Sequence, residues 1–223
     1  MMRPLVAALV SLVVLATPSL AQHGGGAVGG AVGGAVGGAV GGAVGGAVGG
    51  AAPRTVSAAP REAAQFDFLI GQWEVTVTPK ATTLATRIHG VPKLSAVWKA
   101  WRAMDGFGIE DELRIVDGSG NPNAFLRTTR LYDATQRVWT QMSLDVYRAR
   151  YTPATATWAK GEMQIRSAGR DADGSAYVQR VRFYDITPTS FKYQADRSSD
   201  GEKSWETAVL RMTARRVAAT APR

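Results

Sequence analysis

From Trp73 onward the chain alternates apolar and polar residues with a period of two, the mark of strands with one buried face. Trp73, Val75 and Val77 fall on one side, and Glu74, Thr76 and Thr78 on the other. Pro79 ends the run, because proline cannot donate to a ladder. The same pattern predicts strands over Thr82–Val91, Leu94–Met104, Ile109–Val116, Ala124–Tyr132, Arg137–Tyr147, Ala156–Ser167, Ala176–Ile186, Ser190–Ala195 and Ser204–Arg215. Between them stand turn formers such as Asp105-Gly106, Asp117-Gly118-Ser119-Gly120, Asp133-Ala134-Thr135, Thr152-Pro153, Asp171–Gly174, Thr187-Pro188 and Ser199-Asp200-Gly201. Ahead of the strands, Arg61–Leu69 predicts a short helix, with Phe66–Ile70 as an apolar plug. Gly71 breaks the backbone, and Trp73 is the first inward side chain.

Strands joined by short turns argue for an antiparallel meander. Closing about nine or ten of them into a ring removes the unpaired edges. The expected fold is therefore all-β: an antiparallel up-and-down barrel behind a short helix. A β-sandwich is the competing architecture, and the short hairpin links favour the barrel.

The residues before position 61 have a different character. Met1–Ala21 reads as a secretory signal peptide, with Arg3, an apolar Leu5–Thr17 too short to span a bilayer, and small residues at Ser19 and Ala21. The expected location is secreted or periplasmic in a bacterium, with no transmembrane segment after cleavage. Residues 22–60 form a low-complexity linker. Six copies of Ala-Val-Gly-Gly run from Ala27 to Gly50 without a charge. Ala and Val offer too little apolar area to offset ordering of so much glycine, so a disordered tether is expected, with a reach of roughly 30–35 Å. Small-xxx-small helix contacts and a silk-like β stack are alternative readings of the repeat. The barrel domain is placed at 61–216, and 217–223 reads as a disordered tail.

The chain has no cysteine, which excludes disulfides, thiolate metal sites and cysteine nucleophiles. The net charge is +8. Arg3, Arg54 and Arg223 lie outside the barrel domain, which leaves 23 of the 26 cations against all 18 acids, a net of +5. The signs are interspersed, as in Arg127/Arg130, Arg148/Arg150 and Arg180/Arg182. A nucleic-acid partner is not expected, since such proteins gather their cations on one face. Solvated strand faces account for this pattern; attraction to an anionic envelope surface is the sharper reading.

At Gly71-Gln72-Trp73 the chain resembles the lipocalins and other calycins, in which a Gly-x-Trp opens the first strand of a barrel. The resemblance implies that Trp73 closes one end and that an arginine of the last strand, Arg211 or Arg215, packs across its ring. Phe66-Asp67-Phe68-Leu69-Ile70-Gly71-Gln72-Trp73-Glu74-Val75 and the late hairpin Asp200-Gly201-Glu202-Lys203-Ser204-Trp205 resemble the exported bacterial domain-of-unknown-function family numbered 1579. That resemblance spans roughly 66–216 and brings no activity with it. Haem-binding calycins use a histidine near the C-terminal end. Here only His23 and His89 occur, and no cofactor is expected.

No motif compels a reaction. His89 would have to serve alone as a base, no Gly-x-Ser-x-Gly elbow exists, and no phosphate loop stands between a strand and a helix. Glu110-Asp111-Glu112 is the densest acidic cluster; Glu110 and Glu112 share one face and are expected to pair with cations on neighbouring strands. Carboxylate chemistry at the barrel mouth stays open as an alternative. Aromatic and sulfur residues point elsewhere. Trp98 shares a face with Arg102 and Met104, and Trp101 with Val97 and Lys99. Val138, Met142, Leu144 and Val146 form a mostly apolar face that Met163 and Ile165 continue, and Phe191 and Tyr193 share another. A ring of this size leaves room for a small apolar or amphipathic ligand. The candidate binding residues are Trp101, Arg127, Arg130, Tyr132, Met142 and Tyr193, with Gly71, Trp73 and Arg211 closing the barrel. A structural or envelope-associated module with a filled core is the alternative.

Overall fold

The computed structural model of the protein describes residues 58–171 and 173–218. The expected signal peptide, all but the last residues of the tether, and most of the C-terminal tail lie outside the described residues. The domain begins with a 3-10 helix, Arg61–Leu69, which Pro60 opens. In a 3-10 helix residues three apart eclipse one another, so Ala63, Phe66 and Leu69 align and are all buried. Runs of this length are uncommon. This one is held by what its apolar line packs against.

Ten strands follow: β1 Gly71–Pro79, β2 Leu94–Ala103, β3 Gly108–Asp117, β4 Pro122–Asp133, β5 Val138–Asp145, β6 Arg150–Ala159, β7 Glu162–Arg170, β8 Ala176–Tyr184, β9 Ser190–Ser198 and β10 Glu206–Arg216. Each pairs antiparallel with the next, and β10 returns to β1, with Trp73 opposite Arg216 and Val77 opposite Met212. The barrel is closed, as the alternation predicts. Among the described residues no helix is long and apolar enough to cross a membrane.

Two expectations about the strands are corrected. Thr82–Val91 is not a strand. Leu84–His89 forms a short helix, α1, in the β1–β2 connection. Its start is fixed by a reciprocal cap: Thr86 N donates to Thr83 Oγ1 (3.1 Å), and Thr83 N donates to Thr86 Oγ1 (3.1 Å). The alternation there was incidental, and Leu84 and Ile88 stand in solvent.

The expected strand Ala156–Ser167 is in fact two, β6 and β7. They turn at Lys160 and Gly161, which both have positive φ (53° and 77°), the geometry that matches hairpin twist. Thr152-Pro153 is not a turn but part of β6. Pairing between β6 and β7 begins at Ala154, so the missing Pro153 N–H costs no bond in that ladder. The count of ten strands stands with one false strand removed and one fused strand divided.

Candidate functional site

The two ends of the barrel are built differently. At one end the 3-10 helix is driven into the ring. Phe66 packs edge-on to Trp139 at 4.8 Å, and Phe68 against Phe183 at 5.5 Å and Phe191 at 5.8 Å. The Trp73 indole is completely buried, meets Phe191 at 4.8 Å, and donates through Nε1 to Leu69 O at 2.7 Å. Trp73 therefore stoppers the ring, as the resemblance implies.

The arginine across Trp73 is Arg216, 4.1 Å from the ring centroid, and not Arg211 or Arg215. Leu210, Met212 and Ala214 are buried while Arg211 and Arg215 are exposed, so strand alternation puts position 216 on the inner side. Arg216 also donates to Ile70 O and Pro188 O, each at 2.7 Å. Gly71 sits beneath it with φ 126°, and a Cβ there would overlap the guanidinium.

Away from the plug the interior opens into a cavity of about 120 Å³, lined mainly by aliphatic side chains such as Leu94, Leu113, Ile165, Val181 and Leu210. Part of its polar lining is a hydrogen-bonded chain across β2 to β5. Trp98 Nε1 donates to Asp111 Oδ1 at 2.7 Å. The Asp111 carboxylate meets the Arg130 guanidinium in a buried ion pair. Arg130 Nε donates to Gln141 Oε1 at 3.0 Å, and ladder register sets these two residues directly opposite each other. The same guanidinium lies 5.1 Å from the Phe66 ring, so the chain touches the plug. Burial lowers Arg130 to about 9, with the Tyr193 charge acting the other way; it is cationic at neutral pH. Burial also pushes the Tyr193 phenol well above its ordinary range, against the pull of Arg130. Nearer the mouth, Asp145 is wholly buried and accepts from Arg148 Nη1 at 2.7 Å. Among the described residues, Gln141 Nε2, Gln179 Nε2 and Thr152 Oγ1 line the cavity without a protein hydrogen-bond partner.

Of the six candidate binding residues, the cavity brings together Arg130 and Tyr193. Tyr132 belongs to the closed end, 5.5 Å from Trp139. Trp101, Arg127 and Met142 are corrected to the outer surface. Arg127 and Arg130 are three apart, so a strand sends them to opposite faces. Arg127 lies outside over Trp101 at 5.9 Å and pairs with Glu110 and Glu112. That ion pairing is the one expected of the two glutamates.

The apolar face of β5 is also reversed. Met142 is 43% exposed, while Trp139, Gln141 and Asp145 are buried. The more hydrophobic face points out because the Trp139 indole is needed under the plug, and a one-residue slip would turn every side chain over. Asp111, Gln141 and Gln179 went unrecognised in the sequence. The signal for Gln141 was the position of Trp139, two residues before it on the same face. No observation singles out carboxylate chemistry, since Asp111 and Asp145 are each closed by a guanidinium.

No protein-family model matches the chain, and no curated protein sequence does. The resemblance to the family numbered 1579 thus rests on the two end motifs. Among solved structures, the S-type phycobiliprotein lyase of Guillardia theta is similar over 70% of this chain and 92% of that one, at 10% identity and a TM-score of 0.40. The barrel architecture rests on the ladders described above.

Proposed function

We propose that the protein is a secreted or periplasmic carrier that holds a small, largely apolar ligand in the open half of its barrel and does not transform it. The cavity carries this reading. Ten strands and a helical plug fill one half of the ring to density and leave about 120 Å³ unfilled in the other. One water needs about 10–15 Å³ and a void of about 150 Å³ takes benzene, so the space suits a single small ring or short chain. The aliphatic lining supplies affinity, and the few polar groups set orientation. The leader Met1–Ala21 supports export.

Native mass spectrometry of protein purified from its own host tests the reading, with the Val181→Trp variant as control. A retained small molecule in the wild type, absent from a folded Val181→Trp barrel, is the expected result. A wild type that arrives empty and takes up no small apolar probe would overturn it.

A second reading has its own support. The outer surface carries exposed apolar side chains at Met142, Tyr151 and Trp158, which suits a module that docks on an envelope component. Cross-linking in intact cells through position 151 separates the two: a protein adduct supports docking, and its absence leaves the carrier reading.

A further inference from the structure

The interior polar groups restrict the chemistry of what the cavity takes; this inference rests on the carrier reading. Gln141 cannot be turned over without cost. Its Oε1 accepts from Arg130 Nε, and arginine has no acceptor to offer an amide N–H. The carboxamide is therefore held with Nε2 directed away from Arg130. That nitrogen has no partner, and the residue is 7% exposed. Gln179, on β8, is 5% exposed, and its Nε2 is likewise unpartnered. Both side chains line the same cavity. Buried donors are nearly always satisfied in folded proteins, by protein groups, water or ligand, so these two carboxamides, without a protein partner in one void, draw their acceptor from whatever occupies it.

Charge and acceptors narrow the class. The Arg130 guanidinium is matched by Asp111, and Arg148 by Asp145. Among the described residues that line the cavity, no cation is left uncompensated for a carboxylate or phosphate, and no carboxylate is free for an amine. Asp111 Oδ1 and Gln141 Oε1 each already accept one hydrogen bond, and the other neutral polar groups on the wall include the hydroxyls of Thr152, Ser167 and Tyr193.

We propose that Gln141 Nε2, with Gln179 beside it on the same wall, forms a donor subsite for the oxygen of an uncharged carbonyl compound, a ketone, ester or amide, whose hydrocarbon part lies against Leu113, Val181 and Leu210. The carbonyl oxygen has two lone pairs and accepts one N–H from either carboxamide. No bond is made or broken.

The test compares isosteres on the full-length protein: cyclohexanone, methylenecyclohexane and cyclohexanecarboxylate, titrated calorimetrically. Cyclohexanone is expected to bind about tenfold more tightly than methylenecyclohexane, the difference a hydrogen-bonded carbonyl makes in a dry site. The preference for ketone over alkene should fall in Gln179→Leu. Should that variant not fold, the infrared carbonyl stretch of cyclohexanone bound to the wild type decides. A shift to lower frequency than in hexane supports the subsite, and a hexane-like frequency overturns it. Equal binding of ketone and alkene, or tighter binding of the carboxylate, overturns the subsite and leaves the cavity standing. Failure of all three ligands to bind overturns the carrier reading itself.

Discussion

The plugged end and the open end of this barrel use polar groups in opposite ways. At the plugged end the indoles and the arginines around the helix are partnered. Trp73 Nε1 reaches Leu69 O, Trp139 Nε1 reaches Gln65 Oε1 at 3.0 Å, Arg102 Nη1 reaches Ala63 O at 2.8 Å, and Arg216 holds the carbonyls of Ile70 and Pro188. At the open end two buried carboxamides and the Thr152 hydroxyl lack partners beside an unfilled space. Full satisfaction and dense aromatic packing give one half its stability. The other half keeps an unfilled space with buried donors that have no protein partner. Packing and open space are thus divided along the barrel axis.

The contrast is broken most directly at the plug. Trp73→Ala removes a wholly buried indole and its hydrogen bond, and is expected to cost about 3–5 kcal/mol in urea unfolding. A loss below about 1 kcal/mol would show that the plug is not the stable half. Next comes the clamp. Gly71→Ala forces a side chain to positive φ and against Arg216, at an expected cost of about 1–3 kcal/mol. Arg216→Leu should cost about 1 kcal/mol by losing three carbonyl partners and the stacked indole. Arg211→Leu on the outer face should stay within about 0.5 kcal/mol, and equal effects from the two arginines would refute the clamp.

At the open end the expected sign reverses. Gln179→Leu replaces an unsatisfied buried donor by an apolar group, so stability should hold or rise by up to about 1 kcal/mol while carbonyl binding is lost. Thermal melts with and without cyclohexanone read both quantities.

The smallest effect concerns acid. Asp117, Asp173 and Asp200 tie the β3–β4, β7–β8 and β9–β10 turns, all at the open end. The hydrogen bonds from Asn121 lower Asp117, those from Ser175 lower Asp173, and those from Ser204 and Ser198 lower Asp200 to about 2. Folded values below the unfolded one mean that the stabilisation is complete above about pH 4 and is lost as pH falls toward 2. Amide exchange at pH 2.5 against pH 5 should show these turns losing protection before the plug does. Simultaneous loss at both ends would remove the distinction.

The strand pattern was legible because each half-buried strand repeats the same two-residue alternation. It failed at Leu84–His89, where a threonine cap outweighs six residues of alternation, and at Pro153, where a turn former sits inside a strand. The plug, Gly71 and Trp73 were legible because the end motif is specific. Arg130 and Tyr193 were found as polar residues on strands with apolar neighbours. Gln141 and Gln179 were not found, because a glutamine on a strand reads as solvent-facing unless the phase of the strand is known. The wrong choice of arginine has the same origin. Met212 and Ala214 set the phase of β10, and the position that continues it is 216.

Arg216 bonds to Ile70 across a sequence separation of 146 residues, and β10 supplies the last missing neighbour of β1. A nascent chain therefore has no complete ring to enter until its final strand has been synthesised. Contacts this distant make for slow folding, on the order of milliseconds to seconds. Loss of the chain from Glu206 onward would leave β1 with one bare edge and the stopper without its cover, so such a truncation forfeits closure rather than merely a tail.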